Sequence, residues 1–510
     1  MNFMNQLKNE LDNGENNVSV TENGALGYRT TGKALLDLNF AVSSLRFRDV
    51  WEIEAMFANA CAENLDLAII WMFFARNVRG GMGERRLFRV CFDYLAREFP
   101  EKAMKIAALV PEFGRWDDLL DVMYVTTNKT VHDGIFRIVS DQLERDLLAL
   151  KNKKPVSLLG KWMSSENSSS KRTRARAREM INLLQTTPRK YRVMLSALRK
   201  KIDVVERRMS HRDWAGIDYE AVPSKANLLY RDAFMKHDPE RRQAYLDSLK
   251  NNEKKINASV LFPHEIVAQY MRGFYRGPMS TDETLEALWA NLPNTMPSDA
   301  NVLVVADGSG SMTWSPIDSG VRPLDIANAL AIYFADKLSP AYRDEYITFS
   351  SRPQYVYLSG ASTLLGKLQI ALDHNECTNT DIKKTFDLIL ATAVANHLKQ
   401  SELPDTILII SDMEFDGATE HGADQKLFSV IQNDFAAFGY KVPKLAFWNV
   451  CSRTNTIPVR ENPLGVALVS GFSPAVVKMV MSGSLDPYEA LMDMLNDKAY
   501  DCVREALNAE

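Results

Sequence analysis

The chain has 510 residues, enough for two or three domains. Its 46% apolar and 25% charged residues describe a globular protein and exclude a fibrous or largely disordered one. With 61 Lys and Arg against 65 Asp and Glu the net charge is −4, a near-neutral total that conceals one strongly basic region.

Residues 1–34 form an N-terminal polar segment. Its opening, Met1 to Asn17, lacks the apolar core of a signal peptide. The longest apolar run, Leu67 to Ala75, is far short of the roughly 18 residues of a membrane span. Five scattered cysteines (Cys61, Cys91, Cys377, Cys451, Cys502) have no CxxC spacing, which fits neither a disulfide framework nor a zinc ribbon. These features predict a cytoplasmic protein with no membrane segment.

Residues 35–295 read as mostly helical, with apolar residues at three- and four-residue spacing in Trp51 to Ala75 and Gly83 to Glu98. Breaks fall at Pro100, Pro111, Pro155, Pro188, Pro223 and Pro263. Helices of this length with short breaks suggest an α-solenoid or irregular helical array, although no fixed-period repeat is present. Trp116-Asp117-Asp118 reads as a helix start rather than a metal site, and His211, His237 and His264 read as structural.

Within this region residues 151–212 hold 18 Lys and Arg against four acids. The segment therefore carries +14 and the rest of the chain −18. The cations cluster as Lys171, Arg172, Arg174, Arg176 and Arg178; Arg189, Lys190 and Arg192; Arg199, Lys200 and Lys201; and Arg207 and Arg208. Such a density attracts polyanions, and Trp162, Tyr191, His211 and Trp214 between them could stack on unpaired bases. The plainer alternative is a solvated charged face with the aromatics in the helical core.

From residue 296 to 510 the pattern changes. Val302 to Ala306 is an apolar run suited to a strand buried on both faces, and Thr406 to Ser411 is a second. Strands at Glu345 to Phe349, Lys444 to Val450 and Val466 to Val469 alternate with helices at Pro323 to Leu338, Lys383 to Gln400, Gln425 to Phe438 and Pro474 to Met481. This order predicts a doubly wound, Rossmann-like sheet that is mostly parallel. The fold class is thus multidomain α and α/β.

The first buried strand runs into Asp307-Gly-Ser-Gly-Ser311, and the second ends at Ser411-Asp412. Ligands of such sheets sit beyond the carboxyl ends of the strands. Asp307, Ser309 and Ser311, with Thr380 (or Thr378) and Asp412, offer hard oxygen ligands that favour Mg²⁺ or another hard divalent cation. Gly308 and Gly310 let the loop fold back, and Asp381 is either an outer partner of the site or a helix cap. A helix-capping Gly-Ser turn is the plain alternative for the whole motif.

This Asp-x-Ser-x-Ser element, with a distant Thr and Asp, resembles the metal-ion-dependent adhesion site of a von Willebrand factor A domain. The resemblance implies an open metal position filled by an acidic group of a protein partner, and binding rather than turnover. No catalytic set is evident: Ser309 stands where a phosphoaspartate hydrolase needs a second Asp, the G-x-S-x-G elbow is absent, and Gly80-Gly-Met-Gly83 is not a phosphate loop. The chain is therefore read as a binding protein and not an enzyme.

A helical N-terminal part joined to such a domain resembles the Ro ribonucleoprotein family, whose helical part is the TROVE domain. Family-like stretches include Asn23 to Tyr28, Arg76 to Gly83, Val110 to Asp118, Leu159 to Trp162, Tyr191 to Glu206 and Phe262 to His264. The resemblance implies a HEAT-like helical ring or arc and a monomer. It also implies that the basic cluster, with Arg76, Arg79, Arg85 and Arg86, contacts structured noncoding RNA and single-stranded ends. The competing reading is a protein-interaction scaffold whose metal site captures a partner's acidic residue.

Overall fold

The computed structural model describes residues 17–274, 280–297, 299–314, 321–375, 380–415, 425–458, 466–481 and 486–509. Two compact units emerge, and they do not follow a cut at residue 295. The sheet unit takes residues up to Ala68, Gly80–Met82 and Ala258–Asp497. The helical unit takes Ile69–Arg79, Gly83–Asn257 and the segment from Lys498 onward.

In the sheet unit, a hairpin of β1 (Val18–Val20) and β2 (Leu26–Tyr28) lies within what the sequence presented as a polar segment. Six further strands form one sheet: β3 (Val302–Asp307), β4 (Glu345–Phe349), β5 (Tyr355–Tyr357), β6 (Thr406–Ser411), β7 (Lys444–Asn449) and β8 (Val466–Ser470). Their order is β5-β4-β3-β6-β7-β8, all parallel except β5. The short antiparallel β5 was not anticipated, because three residues with a single buried one carry no readable alternation.

β3 from Val302 to Ala306 and β6 from Ile407 to Ile410 are apolar and almost wholly buried, as central parallel strands must be. From β3 the chain goes to β4 on one side and later returns to β6 on the other. The gap between the carboxyl ends of β3 and β6 is therefore the switch point where open α/β sheets hold ligands.

The helix Ala34–Leu45 packs on β8, with the Asn449 amide donating to the Phe40 carbonyl at 2.9 Å and the Ser43 N–H to Ser470 at 3.0 Å. Residues 35 to 68, read from sequence as the start of the helical domain, thus belong to the sheet unit.

The helical unit is an irregular array in which successive helices pack on near neighbours in sequence. Arg85–Glu98 contacts Pro100–Ala107 and Trp116–Val125, while Lys129–Lys151 contacts the last two and Pro188–Ile202. Most of the predicted proline breaks are helix starts: Pro100, Pro188 and Pro263 open their helices, where a missing N–H costs nothing, Pro111 lies in a first turn, Pro223 is a cap, and Pro155 lies in a loop. The C-terminal helix Asp501–Asn508 packs on Pro100–Ala107, so the segment from Lys498 belongs here and not with the sheet. No described helix is long and apolar enough to cross a membrane. The four described cysteines are free thiols.

A buried ion-pair cluster holds this array. Asp118 is fully buried and accepts from Arg76 at 2.9 and 2.7 Å, from Arg89 at 2.8 Å and from the Arg115 N–H at 3.0 Å. A Cβ on Gly114 would lie 2.6 Å from the Asp118 carboxylate, so glycine is needed there for close approach. Asp118→Ala strands the buried Arg76 guanidinium and should cost about 3–5 kcal/mol, read as a lower urea midpoint. A loss below about 1 kcal/mol would show that the charge is solvated instead.

Candidate metal centre and basic surface

β3 delivers Asp307 to the switch point, and the 3₁₀ turn Gly310–Thr313 follows, anchored by buried Met312. The Ser309 N–H donates to Asp307 Oδ1 at 2.9 Å, and the Ser309 and Ser311 hydroxyls lie 2.9 Å apart. From β6, the Ser411 hydroxyl donates to Asp307 Oδ2 at 2.6 Å, so the adjacent strand ends are tied together. Asp412 Oδ1 accepts from the Glu414 N–H at 3.1 Å, and the nearby Ser311 hydroxyl favours its charged form. Four of the five expected residues thus lie together.

Thr380 is buried in the same unit, two residues before the helix Ile382–Ala395. Asp381 caps that helix, accepting from the Lys384 N–H at 3.1 Å. Thr378, the alternative to Thr380, lies outside the described residues. Gly308 serves differently from expectation: neither it nor Gly310 has positive φ. A Cβ on Gly308 would instead lie 2.8 Å from Asn375 Oδ1, so glycine admits a close neighbour.

Both carboxylates are almost wholly buried. Burial first, and the Asp307 charge second, push the Asp412 carboxyl up to about 7, against the opposing pull of the Glu414 N–H, Ser311 and Arg453. Asp412 Oδ2 has no hydrogen bond; its neighbour is an Arg453 Nη2 at 3.5 Å. A buried carboxylate oxygen lacking a donor is costly, and a second buried carboxylate beside it invites a cation. Among the described residues no three His, Cys, Asp or Glu side chains cluster as metal ligands. Any ion here would rest on two carboxylates and on hydroxyls, a donor set that suits a hard divalent cation.

Sequence reading overlooked Ser411 as a partner of Asp307, although its place beside Asp412 was the available signal. Glu414 and Arg453 had no signal, because nothing in the order of residues 450–458 tells which way that connection turns.

In the helical unit the basic helices Lys171–Leu183 and Pro188–Ile202 form as expected, but several of their cations are committed inside the protein. Arg174 donates to the Ser168 and Ser169 carbonyls, both at 2.7 Å. Arg176 bonds Asp121 at 2.6 Å, with Arg172 at 3.5 Å from the same residue. Arg199 clamps the Gly160 and Met163 carbonyls and Ser165, and Lys201 reaches the Lys153 carbonyl. Arg192 pairs with Glu166, while Arg207 and Arg208 pair with Asp203. Lys171, Arg178, Arg189, Lys190 and Lys200 are exposed and make no side-chain ion pair among the described residues, while Arg172, Arg192 and Lys201 are exposed despite their contacts.

The aromatics are also engaged. Tyr191 is buried with its hydroxyl on the Ser164 carbonyl, Trp214 stacks on His237 at 4.5 Å, and Trp162 lies under Arg115. His211 bonds the Arg207 carbonyl, and buried His264 meets Phe472 edge-on. Arg76 is buried against Asp118 and cannot reach an RNA, whereas Arg79, Arg85 and Arg86 are exposed.

Residues 301–506 match the family model of a domain of unknown function, DUF7788, and residues 21–133 and 163–299 that of another, DUF2828. An uncharacterized protein of Acanthamoeba polyphaga mimivirus, L728, is 28% identical over 94% of this chain and 87% of its own length. Among solved structures, the crystal structure of the Deinococcus radiodurans RO (RSR) protein aligns with a TM-score of 0.43 and 15% identity. That alignment covers 81% of this chain and 89% of that one.

The raised Asp412 carboxyl makes a prediction for the metal-free protein. The folded state holds this proton more tightly than the unfolded chain, whose Asp titrates near 3.9. The group therefore contributes stability that declines as pH rises from about 4 to about 7. Urea midpoints in chelator should fall across that window in the wild type, and Asp412→Asn should flatten the fall. Parallel slopes in the two proteins would place the titration elsewhere.

Proposed function

We propose that this chain binds RNA through its helical unit and, through its sheet unit, holds a divalent cation that captures an acidic group of a protein partner. The observation that carries the RNA reading is the set of exposed cations without partners among the described residues. Lys171 and Arg178 are seven residues apart on one helix, and Arg189 and Lys200 eleven apart on the next, so each pair shares a face. Lys190 adjoins the second. Phosphates are the ligand such rows suit, and the committed cations behind them fix the helices that present them. Because the interleaved aromatics are engaged within the protein, contact would be to the backbone of the RNA more than to its bases.

Charge reversal of Lys171, Arg178, Arg189, Lys190 and Lys200 to Glu should abolish binding of a labelled RNA with a structured body and a free 3′ end. In single Ala variants, the salt dependence of log K should lose about 0.7 per phosphate contact removed on a single strand. Unchanged affinity after the fivefold reversal would reject this surface.

The second part of the reading rests on the buried Asp412 oxygen with no hydrogen bond, beside a second buried carboxylate. Asp307, Ser309, Ser311, Thr380 and Asp412 would hold Mg²⁺, in the manner of the von Willebrand A-type adhesion site. A bound cation would supply Lewis-acid attraction for one more oxygen from outside the chain. The residues of this chain do the positioning: Ser411 orients Asp307, the Glu414 N–H orients Asp412, and Asn375 against Gly308 shapes the loop. Binding and not turnover is the activity this reading favours, since the Ser309, Ser311 and Ser411 hydroxyls are engaged with one another and with Asp307.

Calorimetric titration with Mg²⁺ or Mn²⁺ should give one site per chain in the wild type and none in Asp307→Ala or Asp412→Ala. RNA affinity should survive both substitutions and chelator. One-site binding retained by both variants would remove the metal assignment.

A further inference from the structure

Arg453 lies in the connection after β7, within the sheet unit. Its guanidinium makes a 2.8 Å ion pair with Glu22, next to the N-terminal hairpin, and approaches Asp412 Oδ2 to 3.5 Å. It sits 6.0 Å from the ring centre of Trp314, the half-exposed residue that closes the turn carrying Ser311. Its backbone N–H is fixed separately, by a 2.7 Å bond to buried Glu414. Glu414 also accepts from the Glu22 N–H at 2.8 Å and the Thr454 N–H at 2.9 Å, so one carboxylate sets both ends of the Glu22–Arg453 pair.

The guanidinium is therefore built in, yet it faces Asp412 at a distance too long for a hydrogen bond. A cation placed there neutralises Asp412 in part and opposes a second cation beside it. Once a divalent ion is bound, the same arginine stands next to a metal position open to solvent. Arginine's fork matches the two oxygens of a carboxylate, so one oxygen can reach the metal and the other the guanidinium.

We propose that Arg453 is the specificity-determining residue of this site: it competes with the divalent cation for Asp412, and with the cation in place it clamps the carboxylate of an acidic peptide ligand. The proposal rests on the metal reading given above. A carboxylate is favoured over nucleic acid by the local charge. Glu22, Asp307, Asp412 and Glu414 surround the position, so one arginine and one dication leave no excess of positive charge for a polyanion to follow. A single carboxylate needs none.

The test uses the full-length protein at pH 8.5, above the titration of Asp412, with Mn²⁺ binding followed by electron paramagnetic resonance and acetate as the carboxylate probe. Arg453→Met should bind Mn²⁺ about three- to tenfold more tightly than the wild type, since an opposing charge is gone. Saturating acetate should raise the wild type's Mn²⁺ affinity and leave that of Arg453→Met unchanged. Arg453→Lys keeps the charge without the fork, so it should restore the weaker Mn²⁺ binding but not the acetate effect. Glu22→Gln, which keeps the guanidinium but removes the carboxylate that orients it, should reduce the acetate effect if the methionine variant fails to fold.

Weaker Mn²⁺ binding in Arg453→Met, or an acetate effect that persists in it, would make Arg453 merely structural and overturn the proposal. A larger enhancement by inorganic phosphate or oligouridine than by acetate would overturn the carboxylate assignment. No Mn²⁺ binding by the wild type would instead refute the metal reading on which the proposal stands, a failure distinct from either of these.

Discussion

Two carboxylates buried near each other, at the ends of adjacent parallel strands, impose the main constraint on the sheet unit. Asp307 and Asp412 are both almost wholly buried, and the charge of one raises the cost of ionising the other. The protein answers with donors from its own backbone and hydroxyls: Ser309 and Ser411 for Asp307, and the Glu414 N–H for Asp412, with the Ser311 hydroxyl nearby. One oxygen of Asp412 is left over. Why the site lies here follows from topology, since β3 sends its connection one way and β6 the other, so nothing from the sheet covers the ends of the two strands.

A third buried acid, Glu414, works in the opposite sense. It is saturated with hydrogen bonds, from Ser452, Arg453, Thr454 and Glu22, so its charge is spent on structure. Thr21 and Asn23 add bonds to the neighbouring Phe415 and Glu414 carbonyls. A polar N-terminal stretch thereby becomes part of the sheet unit through hydrogen bonding, with little apolar burial to announce it: Val18, Val20 and Leu26 are exposed.

In the helical unit, electrostatics divide the cations into two populations. Arg76 and Arg89 satisfy the buried Asp118 carboxylate, Arg176 pairs with the partly buried Asp121, Arg199 takes up carbonyls at the end of a short helix, and Arg174 takes up loop carbonyls. Their guanidinium forks suit that task better than an ammonium would. The exposed remainder includes three lysines, Lys171, Lys190 and Lys200, which suit a solvated role as point charges. Sequence charge density counted both populations together.

By itself the sequence determined the strands and helices with long apolar signals: the bounds of β4 and β6 match the expected residues, and β3 extends its run by one. It also placed Asp307, Ser309, Ser311 and Asp412 together, because a buried strand in a parallel sheet has only one end at which such side chains can meet ligand. Tertiary structure alone decided the rest. The hairpin at Val18–Tyr28, the transfer of residues 35 to 68 to the sheet unit and of the C-terminal helix to the helical unit all depend on contacts across long sequence separations. Which arginines are spent internally depends on an acid or a carbonyl brought near by folding, as Asp118 is to Arg76 across 42 residues. Local periodicity reports whether a residue faces a core; it does not report which distant residue forms that core's other side.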